Sequence, residues 1–346
     1  MNGSRVAFVE APARLHMGLI DLRGEFGRRF GGIGAALQSP SLLIEARAAE
    51  RLSAEGEDSE RLLLYARRYL DRHGLKGGAR LRAHRAIPAH SGLGSGTQLA
   101  LATARALAAL FERPFDLPSL AEAAGRARRS AIGTWAFEQG GFLLEGGRSV
   151  AGDRPAPLLI RRPVPAEWRC VLAIPDVPAG LNGAAEEDAF RNLPPPPAEL
   201  SGRVAHLILM VLLPALVEED LATFGFGLTR IQELVGEMFR PVQGERFAHT
   251  LVAEVVDELL AGGAAGAGQS SWGPAAYGLV YGDEAAQRLA RRVEDRLQGR
   301  GVVLATAFDN RGARCWTADA TGSAEGGLSG TTNGPASAGT AAGRRS

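Results

Sequence analysis

Apolar and charged side chains alternate through Ala79-Arg80-Leu81-Arg82-Ala83-His84, a pattern that predicts a half-exposed, antiparallel strand. Arg5 to Glu10 alternates in the same way and breaks at Pro12, and Leu42 to Ala48 reads as a further strand. The period changes over Ser59 to His73. Leu62, Leu63, Ala66, Tyr69 and Leu70 fall at helical spacing, with Ser59 as N-cap and Gly74 in the stop position. Ile87 to Leu110 is a short glycine loop running straight into an apolar helix. Asp116 and Pro118 mark the start of the next helix, which leads into Arg126, Arg128 and Arg129. Gly140 to Gly147 reads as a short buried strand bounded by glycines.

Arg161 to Glu167, with Pro163 and Pro165, is the expected domain boundary, giving domains over 1–165 and 166–318. Beyond it, Arg169 to Ile174 is a strand and Asn192 to Ala198, with four consecutive prolines, a stiff linker. Helices are expected over Ser201–Val217, Glu218–Met238 and Arg246–Leu260. Ala275–Tyr281 and Val302–Phe308 are extended around a helix at Glu284–Leu297, and a turn at Asn310-Arg311-Gly312 leads to a last strand. This order suits helices on one face of an antiparallel sheet, an α+β architecture. Residues 319–346 are mostly Gly, Ala, Ser and Thr with little to bury, and a disordered tail without catalytic role is expected there.

A chain of 346 residues with 45% hydrophobic and 22% charged residues is an ordinary globular protein, long enough for two cores. A net charge of +1 supplies no general pull toward nucleic acid or an anionic membrane. Lys76 is the single lysine, so nearly every cation is an arginine, whose fixed fork suits phosphate and carboxylate. Cys170 and Cys315 form no C-x-x-C pair, and the six histidines show no H-E-x-x-H spacing. The N-terminus lacks an apolar signal core, and Val204 to Val217 is too short to span a bilayer, so a buried helix and a cytoplasmic location are expected.

The chemistry concentrates in three segments. In the first, the loop, Gly92, Gly94 and Gly96 let the backbone approach a ligand, and the following helix offers free N–H groups and its positive end. Ser95 and Thr97 add hydroxyls suited to phosphate or magnesium. No Gly-Lys-Ser/Thr is present, which excludes a Walker A loop. The alternating strand before the loop excludes a Rossmann turn. The second segment, Pro12 to Leu37, gathers Arg14, His16, Asp21, Arg28 and Arg29 among six glycines, which suits a polyanionic substrate as well as a solvated hairpin. The third, Gly262 to Gly278, carries Gln269, Ser270 and Ser271 before Trp272-Gly273-Pro274. It could be a flexible loop or close over a ligand held by the first domain.

Gly92-Leu93-Gly94-Ser95-Gly96-Thr97, after Pro88 and before a long Ala/Leu helix, resembles the phosphate-binding motif of the GHMP kinase superfamily. Gly268 to Pro274 falls where that superfamily keeps its third motif. Arg14 to Asp21, Gly27 to Gly34, Arg128 to Thr134 and Phe137 to Phe142 resemble one branch more closely, the β-ribofuranosylaminobenzene 5′-phosphate synthases of tetrahydromethanopterin biosynthesis. The resemblance runs from about Arg5 to about Trp316. It implies a two-domain fold, with an N-terminal β-α-β domain carrying the glycine phosphate loop and a C-terminal ferredoxin-like α/β sandwich. The aspartate that commonly serves these kinases as base is replaced by Ile132-Gly133-Thr134-Trp135.

The resemblance further implies phosphoribosyl pyrophosphate as donor and 4-aminobenzoate or 4-hydroxybenzoate as acceptor. The products would be a C-riboside 5′-phosphate, carbon dioxide and pyrophosphate, with Mg2+ as cofactor and a homodimer as assembly. The candidate substrate- and phosphate-binding residues are Arg14, His16, Gly31, Gly32, Ser91, Gly92, Leu93, Gly94, Ser95, Gly96, Thr97, Ser270 and Ser271, with Ser95 also the metal contact. Asp21 first and Glu138 second are the carboxylates expected to stabilise the ribosyl cation. Arg28 and Arg29 would hold the benzoate carboxylate or the 5′-phosphate. The rival readings are an ATP-dependent small-molecule kinase on the same scaffold and a non-catalytic phosphate-metabolite sensor.

Overall fold

The computed structural model describes residues 5–117, 129–152, 154–180 and 183–319. The helix expected from Pro118 lies outside the described residues except for Arg129, as does the tail beyond 319. An eight-stranded sheet and a four-stranded sheet organise the rest.

In the larger sheet, β1 (Arg5–Asp21) and β2 (Arg28–Ala49) form a long antiparallel hairpin. Pro12 does not end β1. A register shift falls between Pro12 and Ala13, and proline is tolerated at such a bulge because its missing N–H breaks no ladder bond. The outer half of β2 pairs with β4 (Gly78–Arg85), which also pairs with the short β3 (Ser53–Glu55). The inner half pairs with β5 (Phe142–Glu145), which continues to β7 (Leu158–Arg162), and its tip pairs with β6 (Arg148–Ser149). Helix α1 (Ser59–Arg72) packs on α2 (Ser95–Leu110), and α2 and α3 (Ile132–Gln139) cover β1.

The smaller sheet runs β11 (Gly301–Ala307), β8 (Trp168–Pro175), β10 (Ala276–Tyr281), β9 (Gly266–Gln269), all antiparallel. Helices α7 (Thr250–Ala261) and α8 (Asp283–Leu297) bury their apolar stripes against it. Between the sheets run α4 (Gly183–Asn192), α5 (Ala198–Val217, with a π turn at Ile208–Leu212) and α6 (Leu221–Gln243). Phe224 of α6 meets Phe142 and Trp168 at 5.8 and 5.0 Å, which fuses the two sheets into one core.

Two expectations need correction. The last strand, β12 (Arg314–Asp319), does not extend the second sheet; it returns to the first and pairs with β1 from Arg5↔Asp319 to Glu10↔Arg314. The first domain is thus built from both ends of the described chain. Second, α5 is not a buried helix: Val204, Ile208, Leu212 and Leu216 face the core, while Leu209, Met210 and Val217 are exposed. Ala198–Val217 is long and apolar enough to cross a membrane by length and composition alone.

Candidate active site

Gly92 and Gly94 both take positive φ, 83° and 79°, and both press against other parts of the chain. A Cβ on Gly92 would lie 2.2 Å from the Ser270 carbonyl oxygen, and one on Gly94 would lie 2.8 Å from Cγ of Arg14. Only glycine fits either place. The loop therefore closes over Arg14, whose backbone N–H donates to Leu93 O (3.1 Å) and whose guanidinium donates to Gly92 O. Ser270 completes the junction, donating its hydroxyl to Gly92 O (2.7 Å) and accepting from the His16 N–H (3.0 Å). Ser271 N–H donates to His16 O at 3.1 Å. The three chemistry-bearing segments meet here.

Helix α2 begins on this loop with Gly94 as N-cap, no side-chain cap and no acidic residue in its first turn. Its opening N–H groups lack a carboxylate partner, the arrangement an anion completes. Beside it, the Arg14 Nε is enclosed and has no hydrogen-bond partner. Burial lowers the Arg14 pKa to about 10, partly offset by Glu186 and Glu145, so the group stays charged at neutral pH. An enclosed cation with an unused donor is a seat for a phosphate oxygen.

Beneath the cleft floor lies a buried polar chain. Glu145 closes β5, is fully buried, and accepts from the Ala131 N–H at 2.6 Å, leaving Oε1 without a partner. Burial pushes its carboxyl up to about 7, against the pull of the Ser130 hydroxyl, the Ala131 N–H and Arg14. Ser130 Oγ stands 3.0 Å from Nε2 of His16. Burial first, then Arg14, pushes the His16 pKa down to about 3, so its imidazole is neutral.

The cleft above has a volume of about 320 Å³, and Arg14, His16, Thr97, Ser130 and Ser271 line it. Its far wall is aromatic. Phe190, Phe239 and Trp272 pack edge to face, with centroids 4.7–5.7 Å apart. Glu186 and Glu187 of α4 also line it. Gln232 of α6 ties the walls together, donating to Met17 O (2.6 Å) and accepting from Gln269 N–H (2.9 Å).

The other expected residues fall elsewhere. Ser95 and Gly96 lie half-exposed at the start of α2, next to Thr97. Ser91 is buried and donates its hydroxyl to Pro88 O. Gly32 lets β2 pass His16, since a Cβ there would lie 2.7 Å from Gly18 O and 3.4 Å from the imidazole. The expectation that Asp21, Arg28 and Arg29 converge on the loop is corrected. With Gly31 they line a separate cavity of about 330 Å³ at the hairpin tip. The strand rise alone separates Asp21 from Arg14 by roughly 20 Å. Asp21 accepts from the Arg23 N–H, Arg28 donates to Gly147 O, and Arg29 donates to Leu22 O, each at 2.7–2.8 Å. Glu138 is exposed on α3, beside the turn at Gly312, and also stands outside the cleft. Not placed in the site from the sequence were Glu145, Glu186, Phe190 and Phe239; Arg129, Ser130 and Trp272 were noted in their segments but given no role. Glu145 did leave a signal: it is the one charged residue in the apolar run of a strand bounded by glycines.

Residues 61–137 match the family of GHMP kinases N terminal domains, and residues 212–299 match that of GHMP kinases C terminal domains. The homoserine kinase of Cytophaga hutchinsonii superposes with a TM-score of 0.62 at 20% identity, over 90% of this chain and 97% of that one. The molecule thus has the two-domain α+β fold of the GHMP kinase superfamily. At 35% identity it is similar to the "Beta-ribofuranosylphenol 5'-phosphate synthase" of Methanothermobacter thermautotrophicus, over 88% of this chain and 97% of the relative. The protein of the same description from Archaeoglobus fulgidus is also 35% identical, over 88% and 97%. The chain belongs to the β-ribofuranosylphenol 5′-phosphate synthase family. At the place where the kinases commonly carry their base, Gly133 lies against Thr97, 3.3 Å from a notional Cβ to Cγ2, and the neighbouring Thr134 hydroxyl is buried without a partner.

Proposed function

We propose that the chain is a phosphoribosyltransferase joining phosphoribosyl pyrophosphate to 4-hydroxybenzoate or 4-aminobenzoate, with loss of carbon dioxide and pyrophosphate. The observation that carries this reading is the enclosed Arg14, with its unused Nε, packed under the glycine loop at the start of α2. The bond from the anomeric carbon to the pyrophosphate oxygen breaks, and both electrons leave with the pyrophosphate. Arg14 and the loop N–H groups neutralise the phosphate charge as it grows. The ring carbon bearing the carboxylate then attacks the anomeric carbon. The electron pair of the ring–carboxylate bond returns to the ring as carbon dioxide leaves. Glu186 and Glu187 both line the cleft; Glu186 is committed to Trp272 and Arg129, and Glu187 takes the cation-stabilising role in place of Asp21 and Glu138.

Magnesium belongs to this proposal as a substrate-borne ion. No cluster of three or more His, Cys, Asp or Glu able to cage a metal occurs among the described residues. One carboxylate of the cleft lining, on α4, fits an ion that keeps its waters and arrives on the diphosphate. Bound there, it would add positive charge against the leaving group.

The purified protein, magnesium, phosphoribosyl pyrophosphate and carboxyl-labelled benzoate should release labelled carbon dioxide in step with pyrophosphate. Donor left intact would point to a binding protein without chemistry, and ADP formed from ATP and an alcohol would point to a kinase. Either result overturns the proposal.

A further inference from the structure

The glycine loop and Arg14 account for a phosphate end of the cleft but not for the opposite wall. Phosphate groups have no use for three large rings. Phe190, Phe239 and Trp272 nevertheless turn an apolar face to the cavity, and each keeps a residual exposure of 7–8% there. A closed circuit of contacts fixes that face. The Trp272 indole N–H donates to Glu186 Oε1 at 3.0 Å, and Glu186 Oε2 pairs with Arg129 at 2.6 Å. The Arg129 guanidinium lies over the Phe190 ring at 5.0 Å, and Phe190 meets Trp272 edge to face at 5.4 Å. Phe30 of β2 backs Phe190 from behind at 5.6 Å. None of these rings can turn without breaking a partner's contact, so the wall is preorganised before any ligand arrives.

We propose that Phe190, Phe239 and Trp272 form the seat of the acceptor's aromatic ring, held in place by the Arg129–Glu186 pair. This rests on the phosphoribosyl-transfer reading and adds where the second substrate sits. A flat ring gains apolar burial and edge or offset contacts on this surface, whereas a puckered saturated ring gains only the burial. Arg129 is already paired with Glu186, so its guanidinium holds the wall rather than the benzoate. A strong ion pair there would hold back the carboxylate that has to leave as neutral carbon dioxide.

The test compares Trp272→Leu and Phe239→Leu with Trp272→Phe, which keeps an aromatic ring. Loss of one ring contact should raise the KM for 4-hydroxybenzoate roughly two- to tenfold with that for phosphoribosyl pyrophosphate unchanged. Trp272→Phe should recover most of the loss. Equal changes in both KM values, or none in variants with native circular dichroism, overturn the subsite. Equilibrium dialysis of labelled 4-hydroxybenzoate against its saturated analogue, 4-hydroxycyclohexanecarboxylate, separates this proposal from the reaction itself. The wild type should prefer the flat ring and Trp272→Leu should not. That preference holds the subsite even if no carbon dioxide forms, and its absence in the wild type removes the subsite even if turnover is found.

Discussion

Replacing Glu145 with glutamine probes the buried floor of the cleft by its effect on stability. The folded chain holds a proton on this carboxyl up to about pH 7, while the unfolded carboxyl releases it near 4.5. The folded state therefore carries the extra proton across that window, and stability falls as pH rises through it, by about 3 kcal/mol in all. His16 acts in the opposite sense. Its folded pKa is about 3, and the unfolded imidazole takes up a proton near 6.5. Stability from His16 is thus complete above about 6.5 and is lost as pH falls toward 3. Between about 4.5 and 6.5 the two slopes cancel, and the pair leaves the wild type nearly flat. Glutamine at 145 keeps the shape and can still accept from the Ala131 N–H, but it cannot titrate. Stability of Glu145→Gln should then climb by about 1.4 kcal/mol per pH unit across this window. By pH 7.5 the variant should have gained about 3 kcal/mol on the wild type relative to acid conditions. Urea unfolding of both proteins at half-unit steps from about pH 5 to 7.5 measures the difference, and all other groups drop out of the comparison. Parallel stability–pH lines would refute the buried, protonated carboxyl.

Other outcomes follow from the same geometry. Arg14→Lys keeps the charge but loses the guanidinium fork and its enclosed Nε; turnover should fall by roughly 100-fold or more, measured as pyrophosphate release. Gly94→Ala forces a side chain into positive φ and onto Arg14, so unfolding free energy should drop by about 1–3 kcal/mol and donor binding with it, as calorimetry would show. Asp21→Asn, Arg28→Gln and Glu138→Gln should each retain near-wild-type kcat, because none of these residues reaches the cleft; a loss beyond about tenfold in a stable variant would return that residue to the chemistry. Asp21→Ala should instead cost about 1 kcal/mol in urea unfolding, through the lost hydrogen bond to the Arg23 N–H.

Much of the fold was legible wherever the information was local. The period of Leu62 to Leu70 marked α1 within a residue, and the alternation from Ala79 to His84 marked β4 and its half-exposure. The glycine loop announced itself because positive φ and close approach leave few other residues possible. Pro12 misled because its tolerance depends on a bulge opposite, at residues 38–40, that only pairing creates. The returning β12 carried no local mark of which sheet it joins. The same limit applied to the site. Arg14 and His16 are neighbours of Asp21 in sequence, but a strand carries them apart in proportion to their separation, so one charged segment divided between two cavities. The aromatic wall draws Phe190, Phe239 and Trp272 from three elements, and no spacing within any of them predicts the meeting.

The pairing of Arg5 with Asp319 has a consequence for how the molecule is made. One flank of β1 stays bare until β12, about 300 residues further along, emerges, so nascent chains carry an open sheet margin while everything between is made. Crowded ribosomes would favour sticking at that margin, and overexpression should be kinder at low temperature. The same neighbourliness makes the protein a candidate for circular permutation: a short linker from residue 319 to residue 5 would let the chain be opened in the proline run at 194–197, leaving both sheets intact.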